Sequence, residues 1–146
     1  MGNQCCLLVE IEQCVQETVA WQQARENSQN AWKALAATIR EFVLFAKGQG
    51  CLTVNRYHTH IIVMIYQTLF QLDHPVSDYF RDSLTTTQNN DLAVAERIVQ
   101  RALQEGMENR LPHKDVYRLA CNRAFKFVSM IGKTKPGDDH VIENTA

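Results

Sequence analysis

The densest chemical signal in this chain is a run of cations near its end. Between Arg110 and Lys135 there are seven Lys or Arg and a single acid, Asp115, a net of +6. Residues 1–109 carry eight basic and twelve acidic side chains, a net of −4, and the stretch 136–146 is again acidic. Ammonium and guanidinium groups at that density neutralise phosphates, and a basic island in a chain of formal net charge −1 points to a local anionic partner. Helical spacing puts Lys114, Arg118 and Lys126 on one side, within about 120° of one another and with Asn122 among them, while Asp115 turns aside. Arg110, Lys114, Arg118, Arg123, Lys126 and Lys133 are the candidate contacts for that anionic partner. A solvated terminal helix also carries charge, and Lys near a helix C-terminus complements the dipole. It is the one-sided count that favours a functional reading.

Other chemistry finds less support. His58 and His60 lie two apart, about 200° round a helix, so they cannot share a metal ion, and His74, His113 and His140 fall at separate breaks. No metal or other cofactor is expected. Arg56 and His60 stand one helical turn apart, and an Arg–His pair of that kind resembles the metal-independent ribonuclease site of HEPN nucleases. Three residues separate the two here, where that family has four to six. The plainer reading makes Arg56 and His58 solvated and His60 a half-buried, hydrogen-bonded ring. Cys14, Cys51 and Cys121 sit beside apolar positions, where cysteine behaves as a small hydrophobe. Five cysteines without a CxxC pair fit reduced thiols and a cytoplasmic location. At the start, Gly2 could accept a myristoyl group and Cys5 and Cys6 a palmitoyl group, although Cys6 stands where the acylation pattern has Ser or Thr. An ordinary helix start is the alternative.

The elements that must position these groups read as helices. A hydrophobic fraction of 45% in 146 residues is enough for one core, and the longest apolar run, Ile61–Tyr66, is too short to cross a bilayer. Periodicity predicts a first helix over 7–26 with Leu8, Ile11, Val15, Val19 and Gln22 inward, then a break at Asn27, Ser28 and Asn30. A second helix follows over about 31–47, built on Trp32, Leu35, Ala36, Ile39, Phe42, Val43 and Ala46, and Gly48-Gln49-Gly50 stops it. A third helix from Thr53 or Val54 to Leu72 is apolar all round at Ile61–Tyr66. A short helix over Val76–Leu84 buries Val76, Tyr79, Phe80 and Leu84. After a polar connector, Asn90 or Asp91 caps a fifth helix to about Met107 with Val94, Ile98, Ala102 and Leu103 inward. The last helix starts at Pro112 and ends at Gly132. Val116, Leu119, Ala120, Ala124, Phe127, Val128 and Ile131 form its keel. No segment has a strand period. The fold class expected is all-α, a single-domain bundle of five to six helices over 1–135 with a flexible acidic tail over 136–146.

Within this last helix, Tyr117-Arg118-Leu119-Ala120, Ala124-Phe125 and Phe127-Val128 resemble the closing signature of the small helical subunit of Cmr-type (type III-B) CRISPR RNA-guided interference complexes. The helix at Trp32–Ala46 running into Gly48-Gln49-Gly50 is a further, less specific likeness. Cys121, Arg123 and Met130 depart from that family's usual Thr, Glu and Trp, and the proline before the glycine stretch is missing. The resemblance covers about a quarter of the chain. It implies a non-catalytic subunit that stacks on copies of itself and on other subunits of a ribonucleoprotein, with a basic surface toward the target RNA and no membrane partner. On this motif lie Arg118 and Arg123.

Overall fold

The computed structural model describes residues 2–142, with side chains from Glu17 onward. Among them are four α-helices: α1 (Gly2–Gly48), α2 (Asn55–Leu69), α3 (Thr86–Glu108) and α4 (His113–Ile131). A 3-10 turn (Phe80–Ser83) precedes α3, and a hairpin of β1 (Thr134–Lys135) and β2 (Asp138–Val141) follows α4. The chain is thus predominantly helical, with four helices where the periodicity predicts five to six.

The count falls because residues 27–30 do not break the chain. Ala24, Ser28, Ala31, Leu35, Ile39, Phe42 and Ala46 are all buried and keep three- and four-residue steps straight through that region. Ser28 donates its hydroxyl back to the Arg25 carbonyl and also meets Asn89 Oδ1 of α3 at 3.1 Å. It is a small buried seam residue, not a cap. Farther back, Gln22 is exposed and Val19 half exposed, against the expected inward face. The side chains of Leu8, Ile11 and Val15 lie outside the described residues.

The segment Val76–Leu84 also departs from expectation. Phe80 and Leu84 are buried, but Val76 and Tyr79 face solvent and only a single 3-10 turn forms. α3 starts earlier than Asn90. Thr85 accepts from the Gln88 backbone N–H, and the Gln88 side chain accepts from the Thr85 N–H, a reciprocal cap that draws the polar connector into the helix. Its buried face is Leu92, Ala95, Val99, Ala102 and Leu103, whereas Val94 points outward, nearly half exposed. The Ile61–Tyr66 run is helical, with Ile61, Met64, Ile65 and Tyr66 buried but Val63 outward, and α2 ends at Leu69 rather than Leu72.

α3 packs along both α1 and α4 and so stands at the centre of the core. Val116, Ala120 and Ala124 of α4 are fully buried, with Leu119, Phe127, Val128 and Ile131 partly so. Gly106 makes the close approach possible: a Cβ there would meet the two Val116 methyls at 2.8 and 2.9 Å. Gly132 ends α4 at φ +87°, ψ 155°, a conformation open to glycine alone. The hairpin that follows carries no apolar alternation to announce it. The Gln88 amide holds it instead, donating to Thr134 Oγ1 and the Asp138 carbonyl and accepting from the Gly137 N–H.

Candidate nucleic-acid interface

The base of α4 is fixed before its charges matter. Pro112 lacks an N–H, and the Gln49 side chain serves the free groups beside it. Its Oε1 accepts from the His113 N–H at 2.7 Å and its Nε2 donates to the Leu111 carbonyl at 2.9 Å. Gln49, which the sequence offers only as part of a helix stop, therefore grips the α3–α4 turn. Tyr57 of α2 meets His113 Nδ1 through its hydroxyl at 2.6 Å, and its ring stands 5.6 Å from that of Tyr117. Burial pushes the Tyr117 hydroxyl up to about 12, helped by Cys121 one turn on. The Cys121 thiol is itself raised, chiefly by burial, which fits a packed thiol and not a reactive thiolate.

On this frame Lys114, Arg118, Asn122 and Lys126 are all exposed along one side of α4, as the spacing predicts. Asp115 does not turn aside. Its carboxylate takes the Arg118 guanidinium at 3.3 Å, a mostly exposed i,i+3 pair worth a few tenths of a kcal/mol. Arg123 is not on this face. It lies on the opposite flank, where its guanidinium bonds Glu105 of α3, raising the Arg123 value and lowering the Glu105 carboxyl. That contact ties two helices. Arg110 is exposed in the turn before α4 at φ 53°, and Lys133 is exposed just past Gly132. The structure therefore brings Lys114, Arg118 and Lys126 together, places Arg110 and Lys133 beyond either end, and separates Arg123.

Phe125 is the residue that charge counting misses. It follows Arg118 by seven positions and Lys114 by eleven, so it rises from the same side, 61% exposed. Met130 is likewise exposed near the end of the helix. A helical wheel gives that outward placement, but a search by charge passes over an aromatic.

The remaining candidates fall apart in space or in chemistry. Arg56 and His60 both face solvent on α2, and neither side chain makes a hydrogen bond or ion pair among the described residues. His58, expected to be solvated, is the half-buried one, edge-on to Trp32 at 5.8 Å. No group of three or more His, Cys, Asp or Glu among the described residues could hold a metal ion. The acylation candidates Gly2, Cys5 and Cys6, and Cys14 with them, lie in the part of α1 where no side chain is described, and no helix among the described residues is long and apolar enough to cross a membrane.

A buried polar network, also unforeseen, locks the frame. Arg81 of the 3-10 turn forms two bonds to Glu96 of α3, at 3.0 and 2.9 Å, and a third to the Ser28 carbonyl of α1 at 3.0 Å. Its guanidinium stands 5.6 Å from the Trp32 ring and 5.8 Å from the Tyr66 ring. Nearby, Trp21 donates to the Leu84 carbonyl and Arg25 pairs with Asp82. The Arg81 guanidinium is met by Glu96 and the Ser28 carbonyl, as in a structural tie, whereas Nη1 of Arg25 is buried without a hydrogen-bond partner. No protein-family model, no curated protein and no solved structure matches this chain.

Proposed function

We propose that this chain is a non-catalytic subunit of an RNA-guided ribonucleoprotein of the Cmr type, contacting target-RNA phosphates through the outer face of α4. The observation that carries it is the shared exposure of Lys114, Arg118 and Lys126 on a helix whose opposite face, Val116, Ala120 and Ala124, is sealed in the core. Rigid cations at fixed rise suit a repeating anion, and contacts of this type bind without reading bases. The weak Asp115–Arg118 pair gives way to a phosphate at little expense. The Cmr assignment adds the partners: other subunits of the complex and further copies of the chain.

The test replaces Lys114, Arg118 and Lys126 together with Glu. All three are exposed, so the helical spectrum should be unchanged while RNA binding weakens alike for every sequence. The slope of log affinity on log salt should also flatten, by about 0.7 for each phosphate of a single strand that is no longer neutralised. Equal slopes for variant and parent would reduce the face to solvated charge. Incorporation into a reconstituted complex tests the assignment to that assembly separately.

A further inference from the structure

α2 and α4 run in the same direction and are pinned at both ends. At the start Tyr57 bonds His113. At the finish the Gln71 N–H donates to the Thr134 carbonyl at 2.8 Å, where the chain leaving α2 meets the chain leaving α4. Between the pins lies an open groove of about 1170 Å³. That exceeds the roughly 300–1,000 Å³ of a small-molecule pocket and suits an extended chain.

Its walls have a consistent chemistry. Phe125 forms the rim toward the basic face of α4, with Tyr117 deeper on the same helix. Gln67 and Gln71 bring side-chain amides from the α2 side, each able to donate and to accept, and Lys133 stands near the hairpin. Among the described residues, no Asp or Glu lines it. A second groove, of about 730 Å³, shares Val63, Gln67 and Leu72 but is lined by Asp73 and Asp78, and its one cation, Arg81, is already paired with Glu96. Carboxylates there oppose a phosphate chain. The first groove therefore has the charge that an anionic chain needs, and its neighbour does not.

Resting on the reading of α4 given above, we infer that this groove takes the unpaired bases of a single-stranded RNA. One base stacks on Phe125 while Lys114, Arg118, Lys126 and Lys133 hold the phosphates. An aromatic ring among cations is the arrangement that single-strand binders use, since every base has a face to stack. The glutamine amides meet base edges.

The experiment compares two labelled probes by fluorescence anisotropy: a short mixed-sequence single-stranded RNA, and an abasic ribose–phosphate strand of the same length. The parent chain should bind the base-bearing strand more tightly, by roughly 5- to 150-fold for one stacked base. Phe125→Ala, at an exposed position, should remove most of that difference and leave abasic binding unchanged, and Phe125→Trp should restore it. The Glu triple variant should weaken both strands alike. If both strands bind the parent equally well, the base groove is wrong and the phosphate face stands. If neither binds, both readings fail. Sedimentation of parent and Phe125→Ala covers the remaining occupant: self-association that the substitution abolishes would give the groove to a second copy and overturn the inference.

Discussion

Removing the Glu96 carboxylate tests how the frame that presents α4 is held. Glu96 is 1% exposed and the Arg81 side chain 12% exposed, so the pair has left water almost completely. Burial pushes the Glu96 carboxyl up, and the two Arg81 bonds only partly draw it back. The Arg81 value is raised by its bonds to Glu96 despite its own burial. Glu96→Ala leaves a buried guanidinium with one carbonyl, that of Ser28, and two aromatic rings as company. Stranding a buried charge in this way costs about 3–5 kcal/mol, roughly a fifth or more of a typical domain's stability. Arg81→Ala should behave differently, because a lone carboxyl can take a proton. Its folded value, already raised, rises further, so the folded state binds the proton more tightly than the unfolded one. The stabilising contribution is then present below the ordinary glutamate value of 4.5 and is lost as pH rises through the folded value. Arg81→Ala should therefore be least damaging in mild acid. The double variant Arg81→Met/Glu96→Leu strands no charge and should lie within about 1 kcal/mol of the parent or above it. Urea unfolding followed by circular dichroism at several pH values measures all three. A Glu96→Ala penalty below about 1 kcal/mol would show that the pair does not hold the frame, and a double variant as unstable as the single would refute a stranded charge as the source of the penalty.

Four further outcomes are expected. Gly106→Ala should destabilise by about 1–3 kcal/mol, because its methyl meets Val116 at under 3 Å, and a neutral thermal melt would mean α3 and α4 can separate freely. Phe42→Ala, at a fully buried ring, should cost roughly 3–5 kcal/mol; Phe127→Ala, at a half-buried one, should cost less, and the exposed Lys126→Ala under about 0.5 kcal/mol. With its hydroxyl near 12 in the folded chain, Tyr117 contributes stability that is intact below pH 10 and lost between 10 and about 12. Tyr117→Phe should flatten the fall in melting temperature over that alkaline range, and an unchanged profile would assign the loss to other groups. Far-ultraviolet circular dichroism should be dominated by helix, and substantial strand content would contradict the four-helix architecture.

Helices with a clean apolar step are legible from spacing alone. Leu35, Ile39, Phe42 and Ala46 in α1, and Val116, Ala120 and Ala124 in α4, sit where their spacing puts them. Expectation and structure part where one residue type serves two purposes. Ser28 and its neighbours carry the composition of a cap, yet a small hydroxyl fits equally well in an Ala-rich helical seam, and only the facing Asn89 decides between them. Thr85-x-x-Gln88 has the spacing of a reciprocal cap but lies inside a stretch whose polar composition suits a connector just as well. At the candidate site the exposure of Lys114, Arg118 and Lys126 follows from the helical wheel. The Asp115–Arg118 pair is also local. Arg123 cannot be placed the same way, because its partner Glu105 belongs to another helix. Nor can Arg81, whose partners on α1 and α3 meet it only in the folded chain.

The order of groups along α4 gives the RNA reading a direction. From Lys114 to Lys126 the helix rises about 18 Å, and Arg118 and Phe125 stand between them on the same side. A single strand lying along this face meets cations first, the aromatic ring next, and cations again at Lys126 and Lys133. Stacking at Phe125 then fixes the register of a backbone that the charges alone would leave free to slide. Such registration requires that α4 stay put, and its anchors differ at the two ends. Gln49, just past α1, and Tyr57 of α2 hold the base, and the Gln88 amide holds the hairpin beyond Gly132. Loosening either end should therefore blur stacking before it weakens phosphate contact. The cations tolerate displacement of the order of the screening length, about 8–10 Å, whereas a stacked ring must lie in van der Waals contact.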